Sequence, residues 1–289
     1  MRHRRWLIPA FGAALCFVAG VAHSQDEAKG AEVQTKIISG PKDVPAELTR
    51  SIVRYLKQNP LKEGHRLKIQ IGYYFDQGQT GSSNEYEPFV KSLVPIDEDG
   101  KEQGDMYIWG GPRLGLSDKI PYVDGERHGM ASRYIGNKLR AKIPWKHGEM
   151  VGVKKEFYPE GAVRAEVELK DNEANGTTKT YSPEGELMRE GTMKDGKRHG
   201  AMTDYWPETG NKRRVVVYDM GEIAEDVVMY HPNGKVARVV PIKDNARHGV
   251  GKVCDENGEV LEKTYWLDDE MVSKFQYEQY QRAQEKNGE

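Results

Sequence analysis

The sequence predicts a mainly β protein, built as an extended antiparallel sheet of stacked hairpins of about 24 residues. Three observations predict it. The first is a Gly-to-aromatic step of five residues that recurs as Gly104/Trp109, Gly129/Tyr134, Gly152/Phe157, Gly176/Tyr181 and Gly200/Tyr205. Glu225/Tyr230 and Gly249/Cys254 continue it with one substituted partner each, and the second members are spaced 25, 23, 24, 24, 25 and 24 residues apart. The second is an apolar column, Tyr122, Trp145, Leu169, Met193, Tyr218, Ile242 and Trp266, with steps of 23, 24, 24, 25, 24 and 24. The third is the order of strand and turn signals inside each period. Val163, Ala165, Val167 and Leu169 alternate with Arg164, Glu166 and Glu168, as a strand with one buried and one wet face requires. Asn-rich and Gly-rich turns follow, then a second short strand, then Pro159-Glu160-Gly161, Pro183-Glu184-Gly185 or Pro232-Asn233-Gly234. Thr209 is one extra residue, and it accounts for the single slip in period after Tyr205.

These columns resemble the MORN-repeat variant family, whose units pair a Tyr-x-x-(Asp/Asn)-Gly hairpin with a second glycine. The matching pieces are Asp124-Gly125 with Gly129, Lys146-His147-Gly148 with Gly152, Asp195-Gly196 with Gly200, and Tyr230-His231-Pro232-Asn233-Gly234. The resemblance covers residues 104–268. It implies an interaction scaffold, and in its specific version an antitoxin-like inhibitor. Glu225 in place of a glycine and Cys254 in place of an aromatic depart from the pattern, so local changes of hairpin geometry are expected there.

The chain begins with a secretory signal pattern over residues 1–24. Arg2, Arg4 and Arg5 precede a mostly apolar stretch from Trp6 to Val21, and Ala22-His23-Ser24 offers small residues for cleavage after Ser24. The expected location is therefore exported, periplasmic or secreted. Cleavage removes three arginines and no acids, so the formal net charge goes from −2 to −5. That balance argues against a general nucleic-acid binder, which needs a basic stripe. Cleavage also leaves Cys254 as the only cysteine, which excludes an internal disulfide.

Residues 25–43 read as a polar linker. Residues 44–103 read as a small α+β region: Leu48, Ile52, Val53 and Leu56 share a helix face over 44–57, and Leu67, Ile69, Ile71 and Tyr73 alternate in a strand. Glu87 to Ile96 is a further strand, closed by a turn at Asp97-Glu98-Asp99-Gly100. Beyond the array, Asp268-Asp269-Glu270 suits a helix N-terminus, and a C-terminal helix is expected over 269–289. Repeat arrays need such atypical ends to cover their last hairpins.

No catalytic, metal or cofactor constellation emerges. There is no Gly-x-Ser-x-Gly, phosphate loop or Cys-x-x-Cys. His128, His199 and His248 precede repeat glycines, but they sit in non-neighbouring repeats, too far apart for one zinc. Cys254 reads as a half-buried hydrophobe, and Asn175-Gly176-Thr177 as a repeat turn before it reads as a glycosylation site. A charged fraction of 30% fits an open, well-solvated sheet.

Two surface features remain. Tyr134, Phe157, Tyr181, Tyr205 and Tyr230 form a candidate aromatic binding face, and Lys146, Lys170, Lys194 and Lys243 a candidate basic rim. The reading is a non-enzymatic, exported protein-protein interaction scaffold of the cell envelope. A binder of anionic lipid or cell-wall polysaccharide is the alternative, and an enzyme with a site outside the repeats a third. No cofactor, nucleic acid or small-molecule substrate is indicated.

Overall fold

The computed structural model describes residues 33–39, 43, 46–75, 86–111 and 115–287. The expected signal segment and residues 25–32 and 40–42 of the expected linker lie outside them. The chain forms one long antiparallel meander in which each long strand pairs with the next. Its first strands are β1 (Gln34–Ile38), β2 (Arg66–Phe75), β3 (Tyr86–Ile96) and β4 (Gly104–Trp109), with helix α1 (Thr49–Gln58) between β1 and β2. From there the hairpins run without interruption to a short last strand, Glu270–Val272, and a terminal helix α2 (Lys274–Asn287).

Two corrections arise at the ends. Part of the expected polar linker is strand: β1 pairs with β2, with Gln34 opposite Ile71 and Ile38 opposite Leu67. Burial supplies the reason, because Ile38 is 3% exposed in the core beneath α1. The C-terminal helix starts later than expected. Asp268 and Asp269 both take positive φ, at 48° and 71°, and make one more hairpin turn instead of a helix start. The helix is begun by Ser273. Its Oγ accepts the Gln276 N–H at 3.2 Å and Gln276 Oε1 accepts the Ser273 N–H at 2.9 Å, a reciprocal capping box.

Hairpin turns with two positive-φ centres recur through the array at Asp124-Gly125, His147-Gly148, Asp171-Asn172, Asp195-Gly196, Met220-Gly221 and Asp244-Asn245. That is the type I′ geometry whose twist matches a two-residue hairpin. Successive tips are tied together. The N–H groups of Gly125, Gly148, Gly196 and Gly221 donate to the carbonyls of Glu102, Arg127, Ala174 and Arg198 at 3.0, 3.0, 3.0 and 2.8 Å. The other end of each hairpin carries a second irregularity at constant phase. The register shifts just before Trp109, Tyr134, Phe157, Tyr181, Tyr205, Tyr230 and Cys254, a β-bulge repeated seven times. The bulge residue lies on the partner strand, so the aromatic strand keeps strict alternation. Side chains at these turns also bind the next repeat: Tyr158 Oη donates to the Tyr181 carbonyl at 2.9 Å and Trp206 Nε1 to that of Tyr230 at 3.1 Å.

The repeat glycine before each aromatic is needed for its backbone and, in places, for space. Gly249 sits at φ 119°, and a Cβ there would meet Pro241 Cβ at 3.2 Å. Where Glu225 replaces this glycine the following strand is cut to Val227–Tyr230, against six residues for Gly200–Tyr205. The bulge at Cys254 is retained, so that substitution leaves the hairpin intact.

Packing is uneven along the sheet. The largest fully buried side chains among the described residues are Ile52, Leu67, Ile69, Leu93, Val94 and Ile96. Ile52, Leu67, Ile69 and Leu93 pack where α1 covers β2 and β3, while Val94 and Ile96 lie on the other face of β3, opposite Lys68 and Arg66. The array beyond is a single layer in which few side chains are fully buried.

Candidate interaction face

One register row crosses the sheet from end to end and defines a face. It starts at Ile69, Leu93 and Tyr107, the residues packed under α1, and passes through Lys119, Ser132 and Lys142. It continues as Lys155, Glu166, Lys179, Glu190, Thr203, Val215, Val228 and Val239. It ends at Lys252 and Lys263. Tyr265 is two residues beyond Lys263 and so shares this face; its ring lies 5.5 Å from that of Tyr277 in α2. The two helices therefore cover opposite ends of the same face. Tyr55 of α1 closes one end, with its ring 5.3 Å from Tyr107 and its hydroxyl 3.4 Å from the Asp105 carbonyl. Burial raises its pKa well above that of a free phenol.

The five sequence-predicted aromatics all fall on this face. Tyr134, Phe157, Tyr181, Tyr205 and Tyr230 stand two residues beyond row members Ser132, Lys155, Lys179, Thr203 and Val228, on strands that keep their alternation. Each is half-buried, and successive rings are two strands apart, about 9–10 Å. They form a spaced row and not a stack. Charged neighbours lie between them. Glu166 receives Lys155 Nζ at 2.8 Å and Tyr181 Oη at 3.0 Å, and Lys179 Nζ reaches Glu190 at 3.1 Å. The Lys155 hydrogen bond is the main cause that holds the Glu166 carboxyl below its ordinary pKa. Partial burial, and then Glu166, raise the Tyr181 phenol. Because the Glu166 pKa is lowered on folding, its contribution is present above the ordinary carboxylate range and is lost as pH falls through the folded value. Acid titration of the Lys155→Met variant followed by circular dichroism should show a smaller loss of stability below about pH 4.5 than the parent.

The row changes character midway. Charge alternates over Lys155, Glu166, Lys179 and Glu190, and the next four positions are Thr203, Val215, Val228 and Val239. Thr203 is buried and the valines half-buried.

The four lysines of the candidate rim are exposed at the hairpin tips. Two of them stand directly opposite acids, Lys146 opposite Glu149 and Lys170 opposite Glu173. Arg127, Arg198 and Arg247, at the same edge, lie over the rings of Trp145, Tyr218 and Trp266 at 4.6, 5.2 and 4.1 Å. These guanidiniums cover the apolar column on the opposite face. The sequence reading missed that pairing, although each Arg sits two residues after a hairpin turn and could have been set against the column by register. It also missed the bulge, which has no compositional mark beyond the constant spacing of glycine and aromatic. The histidines do not converge on one site. His128 meets the ring of His147 at 5.0 Å, His248 Nδ1 is hydrogen-bonded to Asp268 at 3.0 Å, and His199 Nδ1 lies 3.3 Å from Asp219 without a hydrogen bond. Cys254 is buried, and its thiol occupies an aromatic position of the row.

The period, the paired turns and the strand Glu173–Tyr181 with its following hairpin have a counterpart among known families. Residues 174–195 match the family model described as the MORN repeat variant. The hairpins on either side repeat the turn, bulge and aromatic of this matched MORN unit at the same spacing. The whole chain matches no curated protein.

Proposed function

We propose that this protein is a non-enzymatic interaction scaffold, exported to the cell envelope, that binds another protein on the sheet face left open between α1 and α2. The observation that carries the reading is that face itself. Helices cover its two ends, and between them runs a row of half-buried aromatics interleaved with a charge ladder and a valine stripe. Half-buried Tyr and Phe flanked by polar groups supply rigid contact area of the kind that anchors protein interfaces. MORN repeats serve in protein and membrane-lipid binding, which agrees with a binding role and not a catalytic one. An antitoxin-like inhibitor is the specific form, in which the bound protein is a toxin held inactive. The signal pattern at residues 1–24 supports export.

The test is capture of a partner from the envelope fraction by the full chain and by the Tyr181→Ala/Tyr205→Ala double variant. Loss of a stoichiometric protein partner by tenfold or more, with the circular dichroism spectrum unchanged, is the expected result. Retention of the partner would remove this face from the interface. A salt-sensitive capture of anionic vesicles, abolished by Lys170→Glu and Lys194→Glu, would point instead to the lysine-bearing edge and a lipid ligand.

A further inference from the structure

The last long strand, Val260–Leu267, is unfinished on its outer side. Within the array each strand of this kind is paired on both sides, as in Val215 with Val228 and Val239 with Lys252. The counterparts of Val239 and Lys252 one period later are Lys263 and Gln276. Gln276 lies in α2, not in a strand. The cause is local. Ser273 stands 24 residues after Gly249, at the place where the repeat uses a positive-φ glycine, and its capping box turns the chain into a helix. The final strand then pairs with Tyr265, Trp266 and Leu267 alone, leaving residues 260–264 with no partner on that side among the described residues. Val260 and Leu261 are 50% and 69% exposed there, and a hollow of about 390 Å³ lies at this edge between Glu262 to Tyr265 and Met271 to Lys274.

We propose that this edge accepts an extended segment of a partner protein as an added antiparallel strand. The proposal rests on the protein-binding reading and moves part of the contact to the end of the sheet. Strand addition takes its affinity from main-chain hydrogen bonds and its selectivity from alternate side chains. In earlier repeats a strand fills the equivalent slot opposite Arg214 and Val215 and opposite Arg238 and Val239, the counterparts of Glu262 and Lys263, so the backbone at these two positions is already shaped for one. A second copy fits badly. A two-fold pairing centred on this edge sets Glu262 against Glu262 or, one step along, Lys263 against Lys263. The favoured segment places a basic residue opposite Glu262, an acidic one opposite Lys263 and β-branched residues opposite Leu261 and Val260.

The probe is the synthetic peptide Thr-Glu-Lys-Val-Val-Thr, added to the full chain, with amide exchange read at residues 260–264. Saturable slowing of exchange is expected, roughly fivefold or more weaker for the charge-swapped peptide Thr-Lys-Glu-Val-Val-Thr. Leu261→Lys, at an exposed position that folding does not need, should abolish the slowing, and Tyr181→Ala should leave it unchanged. No slowing at millimolar peptide, or equal slowing by both peptides, overturns the proposal. So does protection that appears without peptide and grows with protein concentration, because the occupant is then a second copy. If partner capture depends on Tyr181 and Tyr205 while the peptide fails, the open face stands and the edge falls.

Discussion

Leu93→Ala is expected to lower the free energy of unfolding by about 2–5 kcal/mol, read as a fall in denaturant midpoint at unchanged slope. Leu93 is 1% exposed, on the row where β3 meets α1, and it packs in one cluster with Ile52, Ile69 and Tyr55. Deleting its branches opens a cavity that a helix-on-sheet core closes only in part. The size of the effect follows from how few such positions the chain has. Among the described residues the fully buried large side chains all fall between Ile52 and Ile96, so one truncation removes a sizeable share of the deep core. Repeat arrays also depend on their ends, because each unit is supported only by its neighbours. Loosening the α1 cap should therefore fray the first hairpins as well. Leu261→Ala is the control: at 69% exposure it should stay within about 0.5 kcal/mol. A Leu93→Ala change no larger than the control would mean that the array holds itself together without this cap.

The array could be read from the sequence because its signals are local. Glycine at a positive-φ site, Asn or Asp-Gly at a hairpin tip and strict alternation each act within a few residues, and a period near 24 multiplies them. The row of five aromatics was legible for the same reason, since constant spacing in a regular meander places equivalent residues on one face. What stayed hidden depends on register or on distant partners. The strand β1 shows only Ile37 and Ile38 as apolar residues at its end, and it exists because Ile38 reaches the core under α1. The late start of α2 turns on Asp268 and Asp269, whose acidity suits a helix N-terminus but whose αL tendency equally suits a hairpin tip. The arrangement of neighbours decided for the hairpin, and the Ser273–Gln276 box then set the start of the helix. That both helices lie on one face follows only from tracing pairings across the entire sheet.

Asp204→Ala should cost about 1.5–3 kcal/mol, the second large effect, and it comes from the face opposite the row of five aromatics. Asp204 pairs across both neighbouring strands. Arg189 donates to Oδ1, and Arg214 reaches Oδ2 with its Nε at 2.9 Å and its terminal nitrogen at 2.8 Å. The carboxylate side chain is only 13% exposed, whereas the arginines are 39% and 40% exposed. An exposed ion pair would be worth little, but a mostly buried carboxylate held by two guanidiniums is a network, and removing it leaves two cations facing each other across the strand. Asp204→Asn keeps an acceptor and the shape while losing the charge, so its cost should fall between parent and alanine. If Asn and Ala lose the same amount, the charge carries the effect; if Asn is neutral, the hydrogen bonds do. The variant also separates the two sides of the sheet. Asp204 alternates with Thr203 and Tyr205, which point to the helix-bearing face, so a folded Asp204→Asn protein should hold its partner as tightly as the parent. A partner lost from Asp204→Asn but kept by Tyr181→Ala/Tyr205→Ala would move the binding surface to the opposite face, where Arg127, Arg198 and Arg247 lie over the apolar column.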